Sequence, residues 1–240
     1  MFLQSVLRAI YPPQCTACDE SAEGSHGLCA SCWQQTEFIM GTVCDICGAP
    51  LPGEDAQELA HCDDCLTTAR PWSRGRSVFV YNATGRALVL RLKHGDRSDL
   101  VPTLAQWLAR GVEPILPKDP FFVPVPLHWT RLVHGRYNQS ALLSQAVARL
   151  VEADSAPEAL LRQKRTSSLD GHSKSDRFAA LDNAIIANPK HKDTIVGRST
   201  VLVDDVMTSG ATLAACSDAL LSAGAQDVCI VTLARVVKDA

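Results

Sequence analysis

Aromatic side chains are scarce in this 240-residue chain, at 5% of residues, and no stretch approaches the roughly 18–20 uncharged apolar residues of a membrane-spanning helix. The first lack leaves few rings beyond those a core consumes, which limits any platform for stacking bases. The second argues against membrane insertion. Polar low-complexity tracts are also missing, and with 46% apolar and 20% charged residues the composition is that of a globular protein, outside the disordered and collagen-like classes. The apolar start, with Phe2, Leu3, Val6, Leu7 and Ile10, is cut by Arg8 and has no small-residue cleavage site. It reads as a helix packed on its own domain, because a single basic residue is too little for anionic lipid. A soluble, cytoplasmic protein is expected, with its oligomeric state unreadable.

Basic residues are almost absent from positions 1–71, where Arg8 and Arg70 face ten Asp and Glu, a formal charge of −8. The other 169 residues hold 21 basic and 16 acidic groups, a balance of +5 that suits an anionic ligand in the second part. The acidity of the first part argues against its gripping a nucleic acid backbone.

What the first part does have is cysteine. Eight of the ten cysteines form four pairs with two-residue gaps: Cys15/Cys18, Cys29/Cys32, Cys44/Cys47 and Cys62/Cys65. Such a gap in a tight turn lets both thiolates face one ion, and two knuckles complete a tetrahedral sulfur shell at about 2.3 Å. Disulfides, the competing use, belong to exported chains. Two structural zinc sites are therefore expected, with the ion replacing a core that some 65 residues with few large apolar side chains cannot supply. Spacing leaves open whether successive or interleaved knuckles share an ion. His26 and His61 read as surface histidines, since four thiolates already fill each shell, and Cys216 and Cys229 as buried small side chains.

Arg70-Pro71 marks the expected boundary, giving a small Cys-rich domain over 1–70 and a second domain over 71–240. In the second, apolar patterning predicts strands over 77–81, 121–126, 200–203 and 228–233, and helices over 85–93, 100–108, 140–150 and 213–223. A hairpin-like region is expected around Ile185 and Ile195, and a mobile loop over 167–177. Strand, helix, strand at the C-terminal lengths is a βαβ unit, so the fold class is α/β with a largely parallel sheet.

Within that unit the sequence runs Val201-Leu202-Val203-Asp204-Asp205-Val206-Met207-Thr208-Ser209-Gly210-Ala211-Thr212-Leu213. An apolar strand ending in two acids, then a hydroxyl-rich turn opening a helix, presents hydroxyls and backbone amides to one anion at a helix N-terminus. A phosphate fits there, and the two carboxylates can hold neighbouring hydroxyls of an attached sugar, directly or through magnesium.

This stretch resembles the binding loop of type I phosphoribosyltransferases, which hold 5-phosphoribosyl-1-pyrophosphate (PRPP). The wider chain resembles the ComF family, also called the competence protein and GntX group. The stretches that carry the likeness, besides this loop, are Leu90-Arg91-Leu92-Lys93-His94-Gly95-Asp96, Val123-Pro124-Val125-Pro126-Leu127-His128-Trp129 and Arg136-Tyr137-Asn138-Gln139-Ser140. The resemblance implies a double zinc ribbon followed by a phosphoribosyltransferase-like domain, linked to DNA uptake or to use of DNA as a nutrient. On that mapping Thr208, Ser209, Gly210, Ala211 and Thr212 cradle the 5-phosphate, and Asp204 and Asp205 hold the ribose hydroxyls. Arg136, Tyr137, Asn138 and Gln139 sit where such folds place a pyrophosphate loop, with Lys93 a further anion contact and Lys164, Arg165 and Lys174 flanking a closing segment.

The implied reaction displaces magnesium-pyrophosphate from ribose C1. Purine-salvage relatives carry an acid where this loop has Thr208, so hypoxanthine and guanine are not expected as acceptors. The second class of function is a PRPP sensor or single-stranded-DNA binder without turnover, partnered by DNA-uptake proteins; Trp129 and Tyr137 are its candidate stacking rings.

Overall fold

The computed structural model describes residues 14–22, 27–53, 59–94, 97–127, 137–163 and 184–237. The Cys-rich segment contributes two short helices, α1 (Ala30–Gln35) and α2 (Asp63–Thr67). Then follow β1 (Arg74–Val80), α3 (Ala83–His94), α4 (Val101–Val112), β2 (Pro120–Pro124), α5 (Gln139–Leu150), β3 (Asp154–Ser155), β4 (Leu160–Arg162), β5 (Ile185–Ala187), α6 (Lys192–Ile195), β6 (Ser199–Met207), α7 (Ala211–Ser222) and β7 (Asp227–Arg235). Five strands form one sheet in the order β1-β7-β6-β2-β3, with every pairing parallel, as the strand–helix–strand reading requires.

The side-chain period of two divides the sheet between two cores. Val201, Val203, Val231 and Leu233 pack with Leu88, Leu92, Leu104, Leu108 and Leu143 of α3, α4 and α5. Leu202, Ile230, Phe121 and Val123 face the other way, onto Leu213 and Leu220 of α7. In α4 the buried residues Val101, Leu104, Ala105, Trp107, Leu108 and Val112 recur at helical spacing, and Pro102 starts the helix where its missing amide costs nothing. Asn138 caps α5 by accepting the amide of Ala141 at 3.3 Å.

Cysteines join both cores. Cys15, Cys29 and Cys32 lie in the first, whereas Cys44, Cys47 and Cys65 lie in the second. The ribbon therefore straddles the sheet. It does so over the edge strand β1, where Ile39 N–H donates to Val78 O, Val80 N–H to Glu37 O, and Gly75 N–H to Asp45 O, so the sheet edge is covered.

Two expectations change. Strand β6 runs to Met207 rather than ending at Val203, because pairing with β7 continues to Met207 opposite Arg235 while the β2 ladder stops at Pro124 opposite Val203. Both acids thus lie within the strand, beyond the point where β2 stops pairing with it. Ile185 does lie in a hairpin-like pair, but its partner strand is β4; Ile195 ends the short helix α6, entered through Pro189 in a preceding 3₁₀ turn. The segments at 1–13 and 164–183, which include the apolar start and the expected loop, lie outside the described residues. Among the described residues no helix is long and apolar enough to cross a membrane.

Candidate functional site

Successive knuckles come together. The sulfurs of Cys15, Cys18, Cys29 and Cys32 lie within 4.8 Å of one another, as do those of Cys44, Cys47, Cys62 and Cys65. Between knuckles, Cys18 and Cys29 Sγ are 3.7 Å apart and Cys47 and Cys62 Sγ 3.6 Å apart. A tetrahedron with 2.3 Å zinc–sulfur bonds has an edge of about 3.8 Å. Backbone amides donate to the sulfurs: those of residues 17, 18 and 29 to Cys15, and of 46, 47 and 62 to Cys44. Donor type, spacing and amide support fit two zinc ions. Gly48 holds the second cluster against β1 in a left-handed turn (φ 67°), where a Cβ would meet Ser77 N at 2.6 Å.

The acid pair is the second feature. Asp204 Oδ1 accepts from Ser140 Oγ of α5 at 3.0 Å and from the amide of Asp205 at 2.9 Å. Lys93, at the end of α3, places Nζ 3.1 Å from Asp205 Oδ1. Burial, then the neighbouring Asp205 charge, pushes the Asp204 carboxyl up to about 7, against the pull of Lys93. Burial works against the Lys93 ammonium, but Asp205 and Asp204 outweigh it and hold its pKa above the ordinary lysine value. Three elements far apart in sequence thus meet around two carboxylates.

Beyond the acids, the turn at 208–210 leads into α7 through Gly210, whose φ is 80° and which offers the helix no side-chain cap. The first-turn amides of a helix have no intrahelical partner, and here that of Ala211 donates to Ser209 Oγ at 3.4 Å. Arg235 Nη1 at the end of β7 reaches Thr208 O at 2.7 Å and Met207 O at 3.3 Å, and Arg70 Nη1 reaches Ser209 O at 2.8 Å. Trp72 lies under the same turn, and its Nε1–H donates to Ile46 O, between Cys44 and Cys47 of the second cluster. Arg235 is also close enough to Cys47 for its charge to favour that thiolate.

Of the residues expected at a ligand, Asp204, Asp205, Lys93 and residues 208–212 gather at the carboxyl end of the central strand β6. Three others spend polar groups on backbone nearby. Tyr137 Oη donates to Leu92 O, Asn138 Nδ2 to Val125 O at 3.1 Å, and Gln139 Nε2 to Lys93 O at 3.3 Å. They tie the start of α5 to the end of α3, which carries Lys93. Arg136, Trp129, Lys164, Arg165 and Lys174 lie outside the described residues. Sequence reasoning missed Ser140, Trp72, Arg235 and the contact made by Arg70. Arg235 had a readable signal, a charge closing the largely apolar run from Val228. An apolar groove of about 670 Å³ also runs along α7 beside β5, from Ala211 to Ala223.

The double zinc ribbon domain family matches residues 6–66. The chain is 30% identical over 215 residues to "Competence protein F" of Haemophilus influenzae, covering 88% of this chain and 91% of that one. It is 31% identical over 226 residues to "DNA utilization protein YhgH" of Escherichia coli K12, covering 90% and 93%. Among solved structures, glutamine phosphoribosylpyrophosphate amidotransferase from B. subtilis is similar over 60% of this chain and 30% of its own length, at 16% identity and a TM-score of 0.41. Sequence identity of this extent, spread over about nine-tenths of both partners and accompanied by the paired cysteine clusters, makes the chain a member of the ComF family.

Proposed function

We propose that this protein binds PRPP with magnesium at the carboxyl edge of β6 and transfers its phosphoribosyl group to an acceptor, in the service of DNA uptake or DNA utilization. The observation that carries the reading is the acid pair, held by Ser140 and Lys93, one short turn before an uncapped helix start. In this reading the amides and hydroxyls of 208–212 bind the 5-phosphate. Asp204 and Asp205 accept hydrogen bonds from the ribose 2- and 3-hydroxyls, and Lys93 adds a cation beside them. Asp204 and Asp205 would lie beside magnesium if it bound with the substrate, and the ion would supply charge neutralisation for the leaving pyrophosphate. The acceptor's lone pair attacks ribose C1 as the C1–oxygen bond breaks and pyrophosphate departs with its electrons. The chain's part is to position the sugar and balance charge.

The role in DNA handling is inferred from relatives named for competence and DNA utilization. A second reading keeps the same pocket without turnover, as a PRPP sensor or single-stranded-DNA binder beside DNA-uptake proteins; the +5 balance beyond residue 71 favours it. Calorimetry of PRPP and magnesium with the zinc-loaded protein tests the pocket, with the Asp204→Ala, Asp205→Ala double variant as control. Binding that disappears in the variant supports it; no heat with either protein overturns it. Pyrophosphate release with candidate acceptors then separates transfer from sensing.

A further inference from the structure

The two cysteine clusters are equivalent as metal sites but differ in what they touch. The first packs on the α3, α4 and α5 side of the sheet with Leu88, Leu92 and Leu104. The second lies under the turn at 208–210: Trp72 bridges the two, Arg70 reaches the turn from just past the last cysteine, and Arg235 holds the turn from the end of β7, its charge felt at Cys47. Trp72, 3% exposed, donates Nε1–H to Ile46 O between Cys44 and Cys47 at 2.6 Å, and its Cη2 would be 3.1 Å from a Cβ on Gly210. Arg70, five residues after Cys65, donates Nη1–H to Ser209 O at 2.8 Å, and its Nη1 would lie 3.0 Å from the same Cβ. Arg235, 5% exposed, holds Thr208 O at 2.7 Å.

Two guanidiniums on the carbonyls of consecutive residues, 208 and 209, fix the peptide planes of the turn. A peptide whose C=O is held from one side presents the following N–H to the other, here those of Ser209 and Gly210. A free turn with Gly at its apex samples many conformations, so these bonds supply preorganisation that the glycine by itself does not.

We propose that the second cysteine cluster is a positioning element for the anion-binding turn, acting through Arg70, Trp72 and Arg235, so that metal at this cluster, and not at the first, sets the order of residues 208–213. The affinity arm of the test rests on the reading of this turn as a phosphate cradle; the order arm does not.

Cys62→Ser and Cys18→Ser cripple the second and first clusters respectively, at their more accessible ligands. Amide hydrogen exchange of the full-length chain, without PRPP, should quicken about tenfold or more over 208–213 in Cys62→Ser, leaving that segment unchanged in Cys18→Ser. Equal acceleration in both variants, or in neither, overturns the proposal. Should Cys62→Ser not fold, Arg70→Ala with both zinc ions retained decides. It should show the same local acceleration and about tenfold weaker PRPP binding, the size of one lost charge-assisted hydrogen bond, with partial rescue by Arg70→Lys. Unchanged exchange at 208–213 in Arg70→Ala, or acceleration spread evenly over β2, β6 and β7, refutes the coupling. If the wild-type protein fails to bind PRPP, the proposed function falls, while the exchange data still judge the positioning role.

Discussion

Replacing Asp45 with Asn should loosen the ribbon from the sheet without touching a cysteine. Asp45 is 7% exposed and sits between Cys44 and Cys47 of the second cluster. Its carboxylate accepts Nε–H and Nη2–H of Arg74, both at 3.1 Å, and Nη2–H of Arg76 at 2.8 Å. Burial opposes its charge, but the two arginines more than compensate and hold its carboxyl below the ordinary aspartate range. Breaking a fully buried ion pair from one side costs about 3–5 kcal/mol. Here the Arg74 side chain is 39% exposed and rehydrates, whereas that of Arg76 is 16% exposed and does not do so fully. The expected loss is therefore about 2–3 kcal/mol, or roughly 5–10 °C in Tm for a chain of this size. Acid titration cannot substitute for the mutation. A depressed carboxyl stabilises above its unfolded pKa and loses that contribution as pH falls through the folded value, where zinc thiolates also protonate. Calorimetric melting of zinc-loaded wild type, Asp45→Asn, Arg76→Gln and the double variant measures both the loss and the coupling. A Tm change under about 1 °C with zinc content intact would refute the assignment of this fork as the anchor.

Asp204 supplies a pH-dependent prediction. Its folded pKa of about 7 exceeds the ordinary 3.8, so the folded chain holds the proton more tightly and stability falls as pH rises between those values. Asp204→Asn should therefore raise Tm at pH 8, by less at pH 6, while abolishing PRPP binding; a pH-independent gain counts against the buried-acid account. Gly210→Ala forces a side chain into φ 80° and within 2.8 Å of Met207 Cε, which should cost about 1–3 kcal/mol in unfolding and weaken PRPP binding. Chemical denaturation and calorimetry read both, and an unchanged variant would show that the turn does not require this conformation. Because Thr208 stands where purine-salvage relatives carry an acid, hypoxanthine and guanine should give no PRPP-dependent nucleotide; turnover with either sinks that expectation.

The cysteine clusters and the acid pair with its hydroxyl-rich turn were legible because each is written in neighbouring residues. A two-residue gap between cysteines is itself the geometry of a knuckle, and an apolar run, two acids and a hydroxyl-rich turn before a helix need only local folding to come together. The parallel sheet was legible for a related reason, since strand and helix periods repeat within a few residues. What the local pattern could not resolve was where β6 ends, because a strand continues as long as its neighbour pairs with it, and β7 pairs to Met207 where β2 stops at Pro124.

Tertiary packing alone decided which knuckles share an ion, which cluster lies on which face of the sheet, and which side chains hold the site. Lys93 meets Asp205, and Ser140 meets Asp204, only because α3 ends and α5 begins at the carboxyl end of the parallel strands. Arg70 reaches Ser209 across 139 residues of sequence. A guanidinium has no periodicity and finds acceptors equally well in water, so nothing in its neighbours names the carbonyl it will hold. That choice is made when the ribbon closes over β1 and brings Trp72 beneath Gly210.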